Sequence, residues 1–384
     1  MIRIALKMLQ GNRAKYRGMV LALAFTAFLT TQLPSVLLGI LQRTYSFITD
    51  VGVGDIWVMD PKVQYVDDVK PMRDTELYRV RGVEGVEWAV PVFKGNIRAQ
   101  LPDGTFQDCV FVGLDDASLL GGPAQMIEGS VSDLRHADAV IVDYNGSRTK
   151  LARAAPGDHL VPLHSGDLLE LNDHRAVVVG VAKIGYNFNS LPVIYTTYTR
   201  AQSYVPAERK LLSFVLVKVK QGFSKEAVLQ RIRANSGLAA YPTSDFQRNS
   251  MWWFIQKTGI MVNFGIIVIT ALLGGGAVAG QTFYTFTLDN LRYFGVMKAL
   301  GTKTRPLIGM VLAQTFTVGL LGYGVGMIGV AVSSYILTGS KVAYRLIWQT
   351  PVATCVEILV ICSIAALLSL GRVIRLEPAI VFKA

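Results

Sequence analysis

Residues able to do chemistry are thinly spread along this 384-residue chain. Its four histidines are His136, His159, His164 and His174, and the last three follow one another at intervals of 5 and 10 residues. A zinc site needs a recognisable pair or triad at close helical or loop spacing. These histidines stand in turn-rich sequence and read as solvated loop residues. Gly275-Gly276-Ala277-Val278-Ala279-Gly280-Gln281-Thr282 imitates a phosphate-binding loop, but Gln281 occupies the place of the essential lysine. Gly324, Gly326 and Gly329 imitate a dinucleotide fingerprint without the strand that must precede it. Both patterns lie in apolar runs, where small residues four apart let membrane helices approach closely, and Gly276 with Gly280 and Gly322 with Gly326 fit that role. Cys355 and Cys362 stand seven apart in another apolar run and read as packing residues, while Cys109 has no soluble partner for a disulfide. No nucleophile–base pair or carboxylate pair is evident. The chain is therefore expected to be neither an enzyme nor a metalloprotein.

The elements around these residues explain why they are poor catalytic material. Hydrophobic residues make up 51% of the chain and charged residues 17%, against roughly 25% charged in soluble domains. Four stretches can cross a bilayer: 18–41, 251–286, 306–338 and 351–371. Pro34 should kink the first, because proline removes a helical hydrogen bond. Trp252, Trp253 and Phe254 precede the second as an interfacial belt would. Residues 1–17 hold five basic residues and no acid, with Ile2, Ile4, Ala5, Met8 and Leu9 spaced for an amphipathic helix on the inner membrane surface. The 287–305 loop and the 372–384 tail are also basic, whereas 339–350 is a short outer loop. The positive-inside rule then places both termini in the cytoplasm and the large segment between the first two spans outside.

That segment, 42–250, carries 23 basic against 24 acidic residues, and the rest of the chain 15 against 3. The basic excess thus flanks the spans and meets anionic lipid. No basic face remains on the folded domain for nucleic acid. Turn signals at Pro102-Asp103-Gly104, Asn145-Gly146 and Pro156-Gly157-Asp158 punctuate short strands at Asp55–Met59, Ala139–Val142, Ala176–Val181, Val193–Tyr195 and Phe214–Val219. Helical patterns at Asp74–Arg81 and Lys225–Ala234 each couple to neighbouring strands. The fold class is therefore an α-helical membrane protein with four transmembrane helices and an α+β extracytoplasmic domain inserted between helices 1 and 2. That domain has α/β halves at about 70–100 and 211–245 and a β-rich insert at about 100–200.

Two further features bear on function. Glu357 is the one acid inside a predicted span, and intramembrane acids are costly and default to functional hypotheses. Near the end of its helix it could equally snorkel or hydrogen-bond within the bundle. The stretch Asp289–Gly301 forms a short amphipathic helix ended by glycine, with Pro306 opening the next span. Its apolar residues stand among basic ones, as in a docking knob for a soluble partner or a helix lying on lipid.

Here the chain resembles the permease subunits of ABC transporters of the FtsX-like, macrolide-exporter (MacB) and lipoprotein-release type. One basic N-terminal helix, one span, a large domain and three further spans is that family's layout. The family's loop commonly reads R-x-x-E-x-G-x-L-K-A-x-G. Arg292, Gly295, Met297, Lys298, Ala299, Leu300 and Gly301 match its end, and Phe294 is taken to replace the usual Glu. Arg375-Leu376-Glu377-Pro378-Ala379 matches the family's closing segment in part. Gly85-Val86-Glu87-Trp88-Ala89-Val90-Pro91 looks like the DevC-type subgroup, linked to glycolipid export. The resemblance implies coupling to a separate ATPase subunit through Arg292, Tyr293, Phe294, Gly295, Val296, Met297, Lys298, Ala299, Leu300 and Gly301. ATP and magnesium would bind that partner, and this chain would hold no cofactor. It further implies a homodimer in the inner membrane, a periplasmic adaptor, an outer-membrane channel, and export of a lipid, glycolipid or other amphiphile. The Porter-like halves of the outer domain would face the adaptor. The alternative within the family is a non-transporting signal transmitter that controls a cell-envelope enzyme. A substrate pocket on the bundle and one in an outer cleft are both consistent with these residues.

Overall fold

The computed structural model describes residues 2–11, 13–101, 104–155, 159–206, 212–337 and 342–374. Turn residues 102–103 and 156–158 and the family-like tail 375–379 lie outside them. The chain divides into two compact units, 1–40 with 259–384, and 41–258. Two helices open it, α1 (Ile2–Gly11) and α2 (Arg13–Arg43), followed by α3 (Ser46–Val51), β1 (Ile56–Met59) and α4 (Thr75–Arg81). Then come β2 (Val86–Gln100), β3 (Phe106–Leu114), β4 (Met126–Glu128), β5 (Ala139–Asp143) and α5 (Tyr144–Ser147). Next are β6 (Arg153–Ala155), β7 (His159–Val161), β8 (Leu168–Leu171), β9 (His174–Ala182), β10 (Val193–Thr197) and α6 (Tyr198–Tyr204). The unit closes with β11 (Phe214–Val219), α7 (Lys225–Ser236), β12 (Ala239–Pro242) and α8 (Thr243–Lys257). Four helices remain: α9 (Ile260–Asp289), α10 (Leu291–Ala299), α11 (Thr304–Leu337) and α12 (Gln349–Ile374).

Residues 41–258 hold a ten-stranded sheet, ordered β12-β1-β11-β2-β3-β10-β5-β9-β4, with β8 bridging β2 and β9, and a separate two-stranded sheet of β6 and β7. Its central strands are buried on both faces, so they read as continuous Val/Ile/Phe runs rather than alternating ones. The period of two still sorts their side chains. In β1, Trp57 and Met59 enter one core, while Ile56 and Val58 enter the core beneath α4 and α7. Along β2 the second face changes cover: Ala89 belongs to the α4/α7 core, whereas Phe93, Ile97 and Ala99 join a core capped by Ala201 and Tyr204 of α6. Strands of both expected α/β halves and most strands of the expected β-rich insert therefore share the larger sheet. The expected turn at Asn145-Gly146 is instead the one-turn helix α5, whose start is capped by Asp143 accepting the Gly146 N–H.

Helices α2, α9, α11 and α12 are long and apolar enough to cross a bilayer, where only helices and closed barrels satisfy their own backbone. Pro34 lies inside α2, which runs on to Arg43. A Cβ on Gly322 or Gly326 would come within 2.7 Å of α2 atoms, from Leu23 and Ala24 respectively. On α9 the close approach falls at Gly275, against Thr26, rather than at the expected pair: Gly276 only grazes Ile361, and Gly280 has open space around it. Helix α1 does more than rest on lipid. Ala5 and Leu9 are fully buried among the membrane helices, and Gln314 of α11 donates to the Ala5 carbonyl at 2.9 Å.

The aromatic belt expected before span two is also reassigned. Trp253 stacks on Tyr65 with centroids 4.0 Å apart, and Phe254 packs on Phe188 at 4.6 Å. Both rings belong to the sheet unit, because α8 ends before Gly259, whose φ of +66° separates it from α9. Trp57 is fully buried between Phe47, Phe214 and Phe246. Trp57→Ala should destabilise the unit by about 3–5 kcal/mol. Trp57→Phe should cost clearly less, because it keeps ring packing and removes an indole N–H that has no partner among the described residues. Chemical unfolding of the detergent-solubilised chain checks the order, and an equal loss in both variants would contradict it.

Candidate functional site

Helix α10 and the helix ends around it form the arrangement that best fits a docking function. Phe294 is fully buried with Ala5 of α1, Leu307, Met310 and Val311 of α11, and Leu370 and Val373 of α12. Gly295 is buried beside it, and Met297 packs at the cluster's edge. One helical turn therefore anchors α10 to three other helices. The opposite side is open: Tyr293 is 62% exposed, Val296 40% and Leu300 81%. Arg292 and Ala299 are exposed with them. Gly301 ends the element with φ +88°, a conformation glycine adopts without steric cost.

Polar contacts fix the frame. Asn290 between α9 and α10 is buried and donates its side-chain amide to the Phe286 carbonyl at 2.8 Å. Lys15 at the start of α2 pairs with Asp289 at the end of α9. Lys298 donates to the Ile374 carbonyl at 3.3 Å.

Three expectations change. Phe294 and Gly295 cannot contact a partner, since their helix face is consumed inside the chain. The E-x-G spacing of the family pattern, anchored on Gly295, falls on exposed Tyr293, so Tyr293 rather than Phe294 replaces the Glu. Lys298 serves partly as a tie between α10 and α12.

Glu357 of α12 lies against Thr30 of α2, beside a buried Thr31–Thr354 hydroxyl contact of 2.8 Å. Its Oε1 is buried without a hydrogen-bond partner among the described residues. In the sheet unit, His164 pairs with Glu128 at 2.8 Å, and His174 stacks on Tyr204. These contacts occupy two of the four histidines in local structure.

The sheet unit also holds a buried charged cluster that local sequence gives no sign of, because its members come from α3, β2, β5, β10 and the loop after β1. Lys94 is 7% exposed, pairs with Asp67, and lies over the Phe47 ring at 5.3 Å. Burial pushes the Asp50 carboxyl up to about 6, against the Gly185 N–H that it accepts. Burial likewise raises Asp143 to about 6, although it accepts the N–H groups of Gly146 at 2.6 Å and Val193 at 2.8 Å. Tyr195 is fully buried, and its hydroxyl has no partner among the described residues.

With this geometry in view, two family models divide the chain. The MacB-like periplasmic core domain matches residues 19–235, and the FtsX-like permease C-terminal domain matches 251–378. The chain belongs to the FtsX/MacB family of ABC-type permeases. A macrolide export ATP-binding/permease protein MacB from Burkholderia pseudomallei is 24% identical over 202 residues, covering 50% of this chain and 30% of the relative. The chain thus spans under a third of the length of those macrolide-export relatives. An uncharacterised ABC transporter permease from Mycobacterium tuberculosis is 21% identical over 322 residues, 81% of this chain and 79% of that protein. Among solved structures, the periplasmic region of MacB from Actinobacillus actinomycetemcomitans aligns with TM-score 0.36 and 10% identity, over 52% of this chain and 94% of that one. The extracellular domain of the ABC-type transporter YknZ from Gram-positive bacteria aligns with TM-score 0.34 and 14% identity, over 49% and 98%.

The raised carboxyls have a pH consequence. A carboxyl whose folded pKa lies above its unfolded value is easier to bury protonated, so it weakens folding once ionised. For Asp50 and Asp143 that loss should develop between about pH 4 and 6 and level off above. Asp55 works oppositely: burial raises it, but Lys225, the Val219 N–H and Lys218 outweigh burial and hold it below the ordinary value. Its stabilisation is lost only below about pH 4. The unit should therefore melt at a lower temperature at pH 7 than at pH 5, and Asp50→Asn should shrink the difference. Differential scanning fluorimetry at the two pH values checks this, and an unchanged difference in the variant would remove Asp50 from the account.

Proposed function

We propose that this chain is the permease subunit of an ABC-type exporter and transmits motion from a separate ATPase subunit to its sheet domain. The observation that carries the reading is the two-sided build of α10. Phe294 and Gly295 tie it to α1, α11 and α12, and Tyr293, Val296 and Leu300 stand exposed on it. A partner that grips the exposed side moves a helix already locked to three others, which is what a coupling element requires. Tyr293 is of the aromatic type that often dominates interface energies when it fills a partner's pocket. Membership of an ABC permease family supports an ATPase as that partner.

In this reading α10 and both termini face the cytoplasm, where the basic residues concentrate, and the sheet domain is periplasmic. The chain acts as a homodimer. Its α9 supports that, because no residue in that helix's most apolar 18-residue window is buried within one copy. A second copy and lipid would cover the helix together. The cargo is a lipid, glycolipid or other amphiphile passed to a periplasmic adaptor and an outer-membrane channel. ATP and magnesium bind the ATPase subunit, and this chain supplies no catalytic group.

The test uses the reconstituted complex with its ATPase. Val296→Glu and Leu300→Glu each add a charge to the exposed side without touching the Phe294 anchor. Each should lower the permease-stimulated ATPase rate by about tenfold, equivalent to about 1.4 kcal/mol of lost coupling, with dimer assembly intact on size-exclusion chromatography. Full stimulation in both variants would sink the coupling role. Phe294→Ala should instead lower the melting temperature of the permease itself, through a cavity cost of about 3–5 kcal/mol.

A further inference from the structure

Glu357 is an acid of the membrane unit that the coupling reading leaves unused. It stands on α12, which opens at Gln349, about 12 Å along the axis from that end. Its Oε1 is a buried atom, and an ionised carboxyl inside a span is costly.

The carboxyl lies against the Thr30 side chain of α2. Thr30 has one hydroxyl proton, and it donates that proton to the Thr26 carbonyl at 2.9 Å. Towards Glu357 the hydroxyl can then offer only a lone pair. The backbone of the same residue adds a second acceptor. Pro34 stands inside α2 four residues on from Thr30 and, lacking an N–H, leaves the Thr30 carbonyl without its helical donor. Both acceptors sit within a bilayer span, where the protein itself must satisfy them. A carboxylate brings only further acceptors, whereas a carboxylic acid brings one O–H donor. The proton between these two side chains has to come from Glu357.

Other contacts hold the two helices together here. About one turn before Glu357, Thr354 meets Thr31 in a buried hydroxyl contact of 2.8 Å. One turn to the other side, α9 approaches both helices: a Cβ on Gly275 would collide with Thr26, and one on Gly276 would lie 3.9 Å from Ile361. The junction also lies on a route through the unit. Leu370 and Val373 of α12 share a buried cluster with Phe294 of α10. Helix α2 runs on to Arg43, where the chain passes into the sheet unit. Glu357 therefore stands where the helix packed on the α10 anchor meets the helix that leads to the sheet.

We propose that Glu357 is a positioning residue that acts as a neutral acid, donating its O–H to Thr30 and passing movement of α12 to α2. The transmission rests on the coupling reading above, and the proton does not.

Infrared difference spectroscopy of the full chain in phosphatidylcholine nanodiscs at neutral pH reads the proton directly. Wild type minus Glu357→Gln should show a carboxylic-acid C=O band that shifts in heavy water. Carboxylate bands in its place would overturn the proposal. Thr30→Val together with Pro34→Ala removes one acceptor and re-pairs the other, so it should move the same band. An unmoved band would overturn Thr30 as the acceptor. In the complex with its ATPase, Glu357→Gln should keep stimulation, because its amide N–H donates where the acid did. Glu357→Leu should lower stimulation about tenfold, equivalent to about 1.4 kcal/mol. Full stimulation in Glu357→Leu, or an equal loss in Glu357→Gln, would overturn the transmission role. The near-isosteric Gln variant and the spectrum decide the matter even where Glu357→Leu fails to assemble. Full stimulation in Val296→Glu and Leu300→Glu would overturn the coupling reading alone, and the acid band would stand.

Discussion

Strand β2 is the constraint on which the sheet domain depends. At 15 residues it is long enough to pair with three other strands and to cross the whole domain. Its first half shares a core with α4 and α7, and its second half shares one with α6. The two ends of the domain cannot move independently while this strand is intact, because each residue removed from register would turn its buried side chains to the wrong face. Among the described residues, β11 pairs with β2 up to Val92 and β8 pairs with it from Ala99.

The membrane unit solves a related problem with helices. Close approach between α2 and α11 requires glycine at Gly322 and Gly326, where α2 atoms already occupy the space of a side chain. At its other end, Phe294 and the Gln314–Ala5 contact make α1, α10, α11 and α12 one packed cluster. Residues exposed on α10 can then be loaded without the helix shearing away from its supports. Glycine is used for contact at one level of the unit and a large aromatic ring at another. Backbone proximity transmits rotation of a helix, whereas a buried ring resists its displacement.

The four long helices, the near-neutral domain between the first two and the strands Ile56–Met59, Ala139–Asp143 and Phe214–Val219 were legible because their signals are local. An apolar run of bilayer length and a Val/Ile-rich run of strand length each carry their reason in neighbouring residues. The packing of Trp253 and Phe254 was missed for the same cause. An aromatic cluster before an apolar run looks like an interfacial belt, and nothing nearby in sequence reveals that Tyr65 and Phe188 receive two of its rings. At α10, sequence marked the right segment but not its faces. Phe294 and Val296 are both apolar, and only the positions of α1, α11 and α12 decide that the first is an anchor and the second is exposed.

By itself, the sequence determined which segments enter lipid, which segment folds as a sheet domain, and where a short basic, apolar helix interrupts the spans. Those properties follow from the transfer energies and backbone preferences of adjacent residues. The tertiary structure alone decided that strands from both ends of the domain share a ten-stranded sheet, that Gly275 rather than Gly280 meets a neighbouring helix, and that Phe294 is buried while Val296 is exposed. Each depends on where a distant strand or helix stops, and residues far apart in the chain settle that together.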